Sequence, residues 1–203
     1  MARIFLIRHG QTQWNREERF RGRADLALTE LGLKQAQAAA GRLVGAGVSQ
    51  VYSSPLRRAL ETAHIIGQRL GVPVQPLEEL VDIDFGSWQG LSPQEAKERD
   101  SELYHLWSVS PHQVKFPGGE SLEDVRQRVS QALEKVLAEH PQETVILVSH
   151  MVACRVMICA VLGIDNSHFW QIGQDVCAVN IFETRRNGLV LRLLNDTCHL
   201  RGL

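Results

Sequence analysis

Two spacings of apolar residues divide most of the chain. Arg3 to Arg8 is a short run of β-branched and aromatic residues and reads as a strand; Thr29 to Gly45 spaces Leu31, Ala38 and Leu43 among polar residues behind a capping threonine and reads as a helix. The pair then recurs. Gln50 to Ser53 predicts a second short strand, and Pro55 opens a helix carrying Leu56, Leu60, Ala63, Ile66 and Leu70 up to Gly71. Ser121, with Asp124 three residues on, has the pattern of a capping box for a helix that runs to Glu139. Thr144 to Ser149 is a continuous apolar strand of the kind buried on both faces, followed by a helix to Leu162. Cys177–Thr184 and Leu189–Leu194, with Arg186-Asn187-Gly188 between them, predict a terminal hairpin.

Strands that alternate with helices define the expected class: α/β, a three-layer sandwich whose central sheet is mostly parallel with an antiparallel edge. Asp82 to Gly119 shows no sustained period and is expected as an irregular cap insertion. A chain of 203 residues fits one domain, so residues 1–203 are read as a single unit with the cap at 82–119.

Composition narrows the function more than the fold. Apolar residues make up 44% of the chain and charged residues 22%, enough for a sizeable core and too balanced for disorder. Twenty-two Lys and Arg against 23 Asp and Glu leave a net charge of −1, with no global field to gather nucleic acid or an anionic membrane. Any anionic ligand must therefore be held locally. The longest apolar region, Val145 to Gly163, is broken by His150 and Arg155, and the N-terminal apolar run stops at Arg8, so neither a spanning helix nor a signal peptide fits and a cytoplasmic protein is expected. Cys154, Cys159, Cys177 and Cys198 form no CxxC pair, which argues for reduced thiols over a disulfide framework or a zinc knuckle.

In open α/β sheets ligands bind beyond the carboxyl ends of the strands, and unusual polar residues stand at those points. Arg8-His9-Gly10 follows the first strand, Ser53-Ser54-Pro55-Leu56-Arg57-Arg58 the second, and Ser149-His150 the apolar strand before the last helix. Guanidinium forks match phosphate oxygens, and a neutral imidazole between cations is a competent nucleophile toward phosphorus. A metal site is the rival reading, but no HxH or HxxxH spacing and no carboxylate beside either histidine supports one, so neither metal nor cofactor is expected.

Leu6-Ile7-Arg8-His9-Gly10-Gln11-Thr12 with Asn15 resembles the signature of the histidine phosphatase superfamily, the phosphoglycerate mutase-like enzymes. The likeness continues through Gly22, Asp25 and Leu28–Gly32, Ser53–Ala59, Gly86–Gly90, Gly118–Ser121 and Val148–His150, practically the whole chain. It implies that His9 is the nucleophile that forms a phosphohistidine, that Arg8, Arg58 and His150 hold the phosphoryl oxygens, and that Asn15 adds a hydrogen bond. Arg58 matches the family position because it directly precedes Ala59, which leaves Arg57 as a solvated helix residue.

Three positions depart from the family pattern. The proton donor is usually a glutamate, and Asp82 stands there, shorter by roughly 1.5 Å of reach, with Asp84 as the fallback. Arg21 precedes Gly22 where many members have Gln or Thr, and would supply a cation for a second anionic group; Gly22 belongs with it in substrate binding. Pro111–Leu122 and Asn195–Leu200 look like the bacterial metal-independent phosphoserine phosphatases, yet Phe85 stands where that subgroup has a histidine, so Phe85 either faces a less polar leaving group or packs under the cap. The expected activity is hydrolysis of a small phosphorylated metabolite, phosphoserine or a related ester. Mutase-type phosphoryl transfer and a non-catalytic phospho-ligand regulator are the alternatives. The terminal hairpin, with Val179, Ile181, Phe182, Val190 and Leu191, offers an edge for a homodimer or a face to pack on the cap.

Overall fold

Every residue from Ile4 to Ile7 is buried, Ile4 and Leu6 on one face of the first strand and Phe5 and Ile7 on the other, because that strand lies inside a sheet covered on both sides. The computed structural model describes residues 1–203. Six strands, β1 (Arg3–Arg8), β2 (Val48–Ser53), β3 (Val74–Pro76), β4 (Thr144–Ser149), β5 (Val179–Arg185) and β6 (Gly188–Asp196), form one sheet in the order β3-β2-β4-β1-β5-β6. The first four are parallel; β5 runs antiparallel to β1 and β6 antiparallel to β5. This is the α/β sandwich with an antiparallel edge that the alternation of elements predicts.

The helices are α1 (Gln13–Arg16), α2 (Glu30–Arg42), α3 (Arg57–Leu70), α4 (Pro93–Arg99), α5 (Ser101–Val109), α6 (Leu122–Glu139) and α7 (Met151–Leu162). α2 and α3 bury Ala40, Ala59, Ala63 and Ile66 against Phe5, Ile7, Ile146 and Val148. α6 and α7 cover the other face, where Val125, Val129, Val156 and Met157 meet Ile4, Leu6, Val145 and Leu147. The Thr29 hydroxyl accepts from the Gly32 amide (3.0 Å), and Ser121 and Asp124 close the reciprocal capping box of α6, as their spacing predicts. The loop after β1 lies against α2 so closely that a β-carbon on Gly32 would come within 2.2 Å of the Gln11 carbonyl oxygen, so only glycine fits there.

One strand was not anticipated and one expectation changes. The three-residue β3 is too short for its pattern to stand out, and the segment 82–119 is more regular than the irregular cap anticipated, since it holds α4 and α5 between short 3₁₀ turns. Helices of seven and nine residues are shorter than the window in which a 3.6-residue period shows. Their termini carried the readable signals. Ser92 and Glu95 form a capping box with Pro93 in the first turn, and the Asp100 carboxylate accepts from Leu103 N (2.9 Å) where one helix ends and the next begins. No helix is long and apolar enough to cross a membrane.

Candidate active site

Register decides where the chemistry gathers. Arg8 pairs with Ser149 and Ser53 with Val148, so the next residues, His9, Ser54 and His150, leave the sheet side by side at its carboxyl edge. The His9 amide donates to the Ser149 carbonyl (2.9 Å) and that of Ser54 to the Val148 carbonyl (3.0 Å), which holds the three exits together. Arg58, in the first turn of α3, reaches the same point, and His150 occupies the N-cap of α7, whose positive end favours an anion.

Arg58 is fully buried and organises the cluster. Its Nε lies 3.2 Å from His9 Nε2 and 3.1 Å from His150 Nδ1; Nη1 and Nη2 donate to the carbonyls of Ala24 (2.6 Å) and Gly22 (2.7 Å), and Nη2 is 3.5 Å from Asp82 Oδ2. A guanidinium without water must find such acceptors. Gly22 supplies one from a backbone with φ 48°, where an added β-carbon would stand 2.9 Å from Gln89 Oε1 and 3.2 Å from the Ile83 carbonyl oxygen.

The same contacts settle the imidazole tautomers. His9 Nδ1 lies 2.6 Å from the Gly10 carbonyl, so the proton sits there and Nε2 carries the lone pair that receives Arg58. His150 is the mirror case: Nδ1 accepts from Arg58, and Nε2–H donates to Ser54 Oγ at 2.7 Å. Burial, then Arg58 and Arg8, pushes the His9 pKa well below the ordinary 6.5; burial and Arg58 do the same to His150. The rings lie 5.1 Å apart. Burial, with Arg21 adding to it, pulls Arg8 down to about 9, still charged at neutral pH. Arg8 Nη1 is held by the Gln174 carbonyl (2.5 Å), while its Nε is buried without a protein partner, a donor left for a ligand.

Asp82 is 3% exposed, and burial raises its pKa above the ordinary 3.8 against the opposing pull of Arg58 and Arg21. Its chain segment is tied down by Ser149 Oγ on the Leu80 carbonyl (2.7 Å) and by Arg128 on the carbonyls of Glu79 (2.9 Å) and Val81 (2.6 Å). Asp84 is turned elsewhere: Oδ1 accepts from the Gly86 amide (2.8 Å) and Oδ2 lies 3.8 Å from Arg23.

A cavity of about 460 Å³ opens beside this cluster, with Arg8, Asn15, Arg21 and Asp82 among its polar lining. Its apolar wall comes largely from the cap, including Phe85, Tyr104 and Trp107, with Trp170 from the segment after α7. Of the two placements expected for Phe85, the packed one is seen, and the ring also borders the cavity. It packs edge-on against Phe20 and Phe116 (centroids 5.0 Å each). The Asn15 Oδ1 accepts from the Thr12 amide and hydroxyl (2.8 Å each), which leaves its amino group for the cavity. Arg21 Nη1 donates to the Arg19 (3.1 Å) and Trp14 (3.3 Å) carbonyls. Sequence reasoning did not single out Ser54, Thr62 or Gln174 for the site. Thr62 Oγ1 accepts from the Gly10 amide (3.1 Å) and donates to the Arg58 carbonyl (2.8 Å); Ser54 lay within a recognised motif, but nothing local to Gln174 pointed to Arg8.

Two neutral imidazoles around a buried guanidinium, with a second arginine and a protonatable carboxyl at the edge of a cavity, make a site for phosphoryl chemistry. A family profile described as histidine phosphatase superfamily (branch 1) matches residues 4–197, and the chain belongs to that family. Among its relatives, phosphoserine phosphatase 1 of Hydrogenobacter thermophilus is 40% identical over 98% of this chain and 95% of its own. The solved structure of Bacillus stearothermophilus YhfR superposes with a TM-score of 0.94 at 30% identity, covering 98% of this chain and 100% of that one. A mutant phosphoserine phosphatase of Entamoeba histolytica, solved in complex with phosphoserine, gives 0.90 at 28% identity over 98% and 100%.

Proposed function

We propose that this histidine-type phosphatase hydrolyses small phosphomonoesters, phosphoserine first among them, by passing the phosphoryl group to His9 and then to water. The observation that carries this reading is the orientation of His9, whose proton is held on Nδ1 by the Gly10 carbonyl so that the Nε2 lone pair faces Arg58. The phosphorus–oxygen bond of the ester breaks as the bond to Nε2 forms; Arg8, Arg58 and Asn15 hold the oxygens whose charge is redistributed, and His150 joins them as its Nε2–H turns from Ser54 Oγ to the phosphoryl group. The leaving oxygen takes its proton from Asp82, which then receives one from the water that attacks the phosphohistidine. Burial serves both groups. It keeps His9 unprotonated as a nucleophile and Asp82 more protonated than an ordinary aspartate.

Arg21 supplies a cation for an anionic group on the substrate, Gly22 contributes through the main chain that also orients Arg58, and Phe85 forms an apolar wall. Residues 1–203 act as one domain whose cap, 82–119, shapes that wall. The choice of phosphoserine is supported by the 40% identical relative and by the E. histolytica complex. Four free cysteines, three of them buried, support a cytoplasmic location.

The test is metal-free phosphate release, with EDTA present, from phosphoserine, 3-phosphoglycerate, ribazole 5′-phosphate, sugar phosphates and p-nitrophenyl phosphate. Phosphoserine is expected to give the highest kcat/KM. Transfer of phosphate to an added acceptor in place of water would turn the reading toward a mutase, and micromolar affinity without turnover toward a binding protein.

A homodimer through the terminal hairpin completes the proposal. It is supported by the free edge of β6, where Val190 and Leu194 are 39% and 40% exposed. Sedimentation should show a dimer at micromolar concentration; a monomer removes this part of the reading.

A further inference from the structure

One charged group in the cavity lining has no partner in the protein. Arg19 is committed to Glu17 (2.8 Å), Glu95 (3.2 Å) and the Gly90 carbonyl (2.8 Å), and Asp82 lies beside Arg58. Glu18, which also lines the cavity, is exposed and takes part in no ion pair. Around the same cavity stand the rings of Phe20, Tyr104 and Trp107, and aromatic faces favour a cation; the Trp170 ring, which also lines it, already carries the Arg155 guanidinium at 5.0 Å from its centroid. The cavity therefore joins a cationic phosphoryl cradle to an uncompensated carboxylate among aromatic walls. A leaving group that carries a positive charge pairs Glu18; one that carries only negative charge can meet Arg21 but leaves Glu18 unpaired beside it.

We propose that Glu18, with these aromatic walls, receives an ammonium group borne by the leaving alcohol, so that the preferred substrates are phosphate esters of amino alcohols, hydroxy-amino acids included. This rests on the phosphatase reading and narrows it. Glu18 takes no part in the phosphoryl step; its effect is on which ester is held. The backbone there has φ 55°, a region in which Asn is better accommodated than Glu, so an asparagine variant removes the charge without added backbone strain.

The experiment compares kcat/KM for O-phosphoethanolamine, which has an ammonium and no carboxylate, with that for 3-phosphoglycerate, which has the reverse, in the wild type, Glu18→Gln, Glu18→Asn and Glu18→Lys. The ratio of the first ester to the second should fall about tenfold in the Gln and Asn variants, and further in the Lys variant, with the change in KM. Equal effects on the two esters, leaving the ratio as in the wild type, would overturn the ammonium site. A wild type that turns over neither ester nor p-nitrophenyl phosphate would instead remove the phosphatase reading, and this one with it.

Discussion

His9→Ala should lower turnover of every phosphate ester by at least about 10⁴-fold, because the side chain that would form the covalent intermediate is gone and the remaining cradle can only bind. The defect should be the same for good and poor leaving groups, since both transfer to the same nitrogen. Rapid mixing with radiolabelled substrate and an alkaline quench, which preserves phosphohistidine, should trap label on the wild type and none on the variant. With the His9 proton held on Nδ1 by the Gly10 carbonyl, the label belongs on Nε2. Label on Nδ1, or normal turnover by the variant, would discard the proposed geometry.

The variant should also change how stability depends on pH. The folded-state pKa values of His9 and His150 lie well below the unfolded 6.5, because burial disfavours the charged form. Folding then favours the neutral rings, so the wild type loses stability as pH falls from 6.5 toward those lowered values. Removing one of the two groups should weaken that acid sensitivity, measured as Tm between neutral pH and pH 5.

Asp82→Asn should separate substrates by their need for a proton. For an alkyl ester such as phosphoserine the phosphorylation step should slow by about 10²–10³-fold; for p-nitrophenyl phosphate, whose phenolate leaves without help, the loss should be much smaller. The pH dependence carries the sign. The carboxyl is a donor only while protonated, and burial raises its pKa above 3.8, so the single-turnover rate with an alkyl ester should fall as pH rises through that raised value. Asparagine should abolish this limb. Equal losses for both esters would mean that Asp82 acts by holding Arg58, whose Nη2 is 3.5 Å away, and moves no proton.

The strand-end residues were legible because each belongs to a local string: an apolar run followed at once by Arg8-His9, by Ser53-Ser54, or by Ser149-His150. Parallel pairing alone brings such ends together, and the register of β1 and β2 on β4 does so here. The choice between Asp82 and Asp84 was less legible. Two carboxylates two residues apart look alike until Gly86 and Arg23 are seen to occupy Asp84 while Asp82 turns to Arg58. The helices of the cap were missed for a different reason: at seven and nine residues their apolar faces are too short to show a period.

By itself the sequence determined the layered α/β architecture and the chemical inventory of the site, because burial periodicity, capping residues and strand-end motifs act over a few neighbouring positions. Tertiary structure alone decided the protonation of the site and the lining of its cavity. The neutral state of the two imidazoles depends on desolvation and on a guanidinium 49 and 92 residues away, itself satisfied by the carbonyls of Gly22 and Ala24. The cavity wall likewise assembles Glu18, Phe85, Trp107 and Trp170 from separate segments. Electrostatic and packing energies depend on distance through space, and only the folded chain sets those distances.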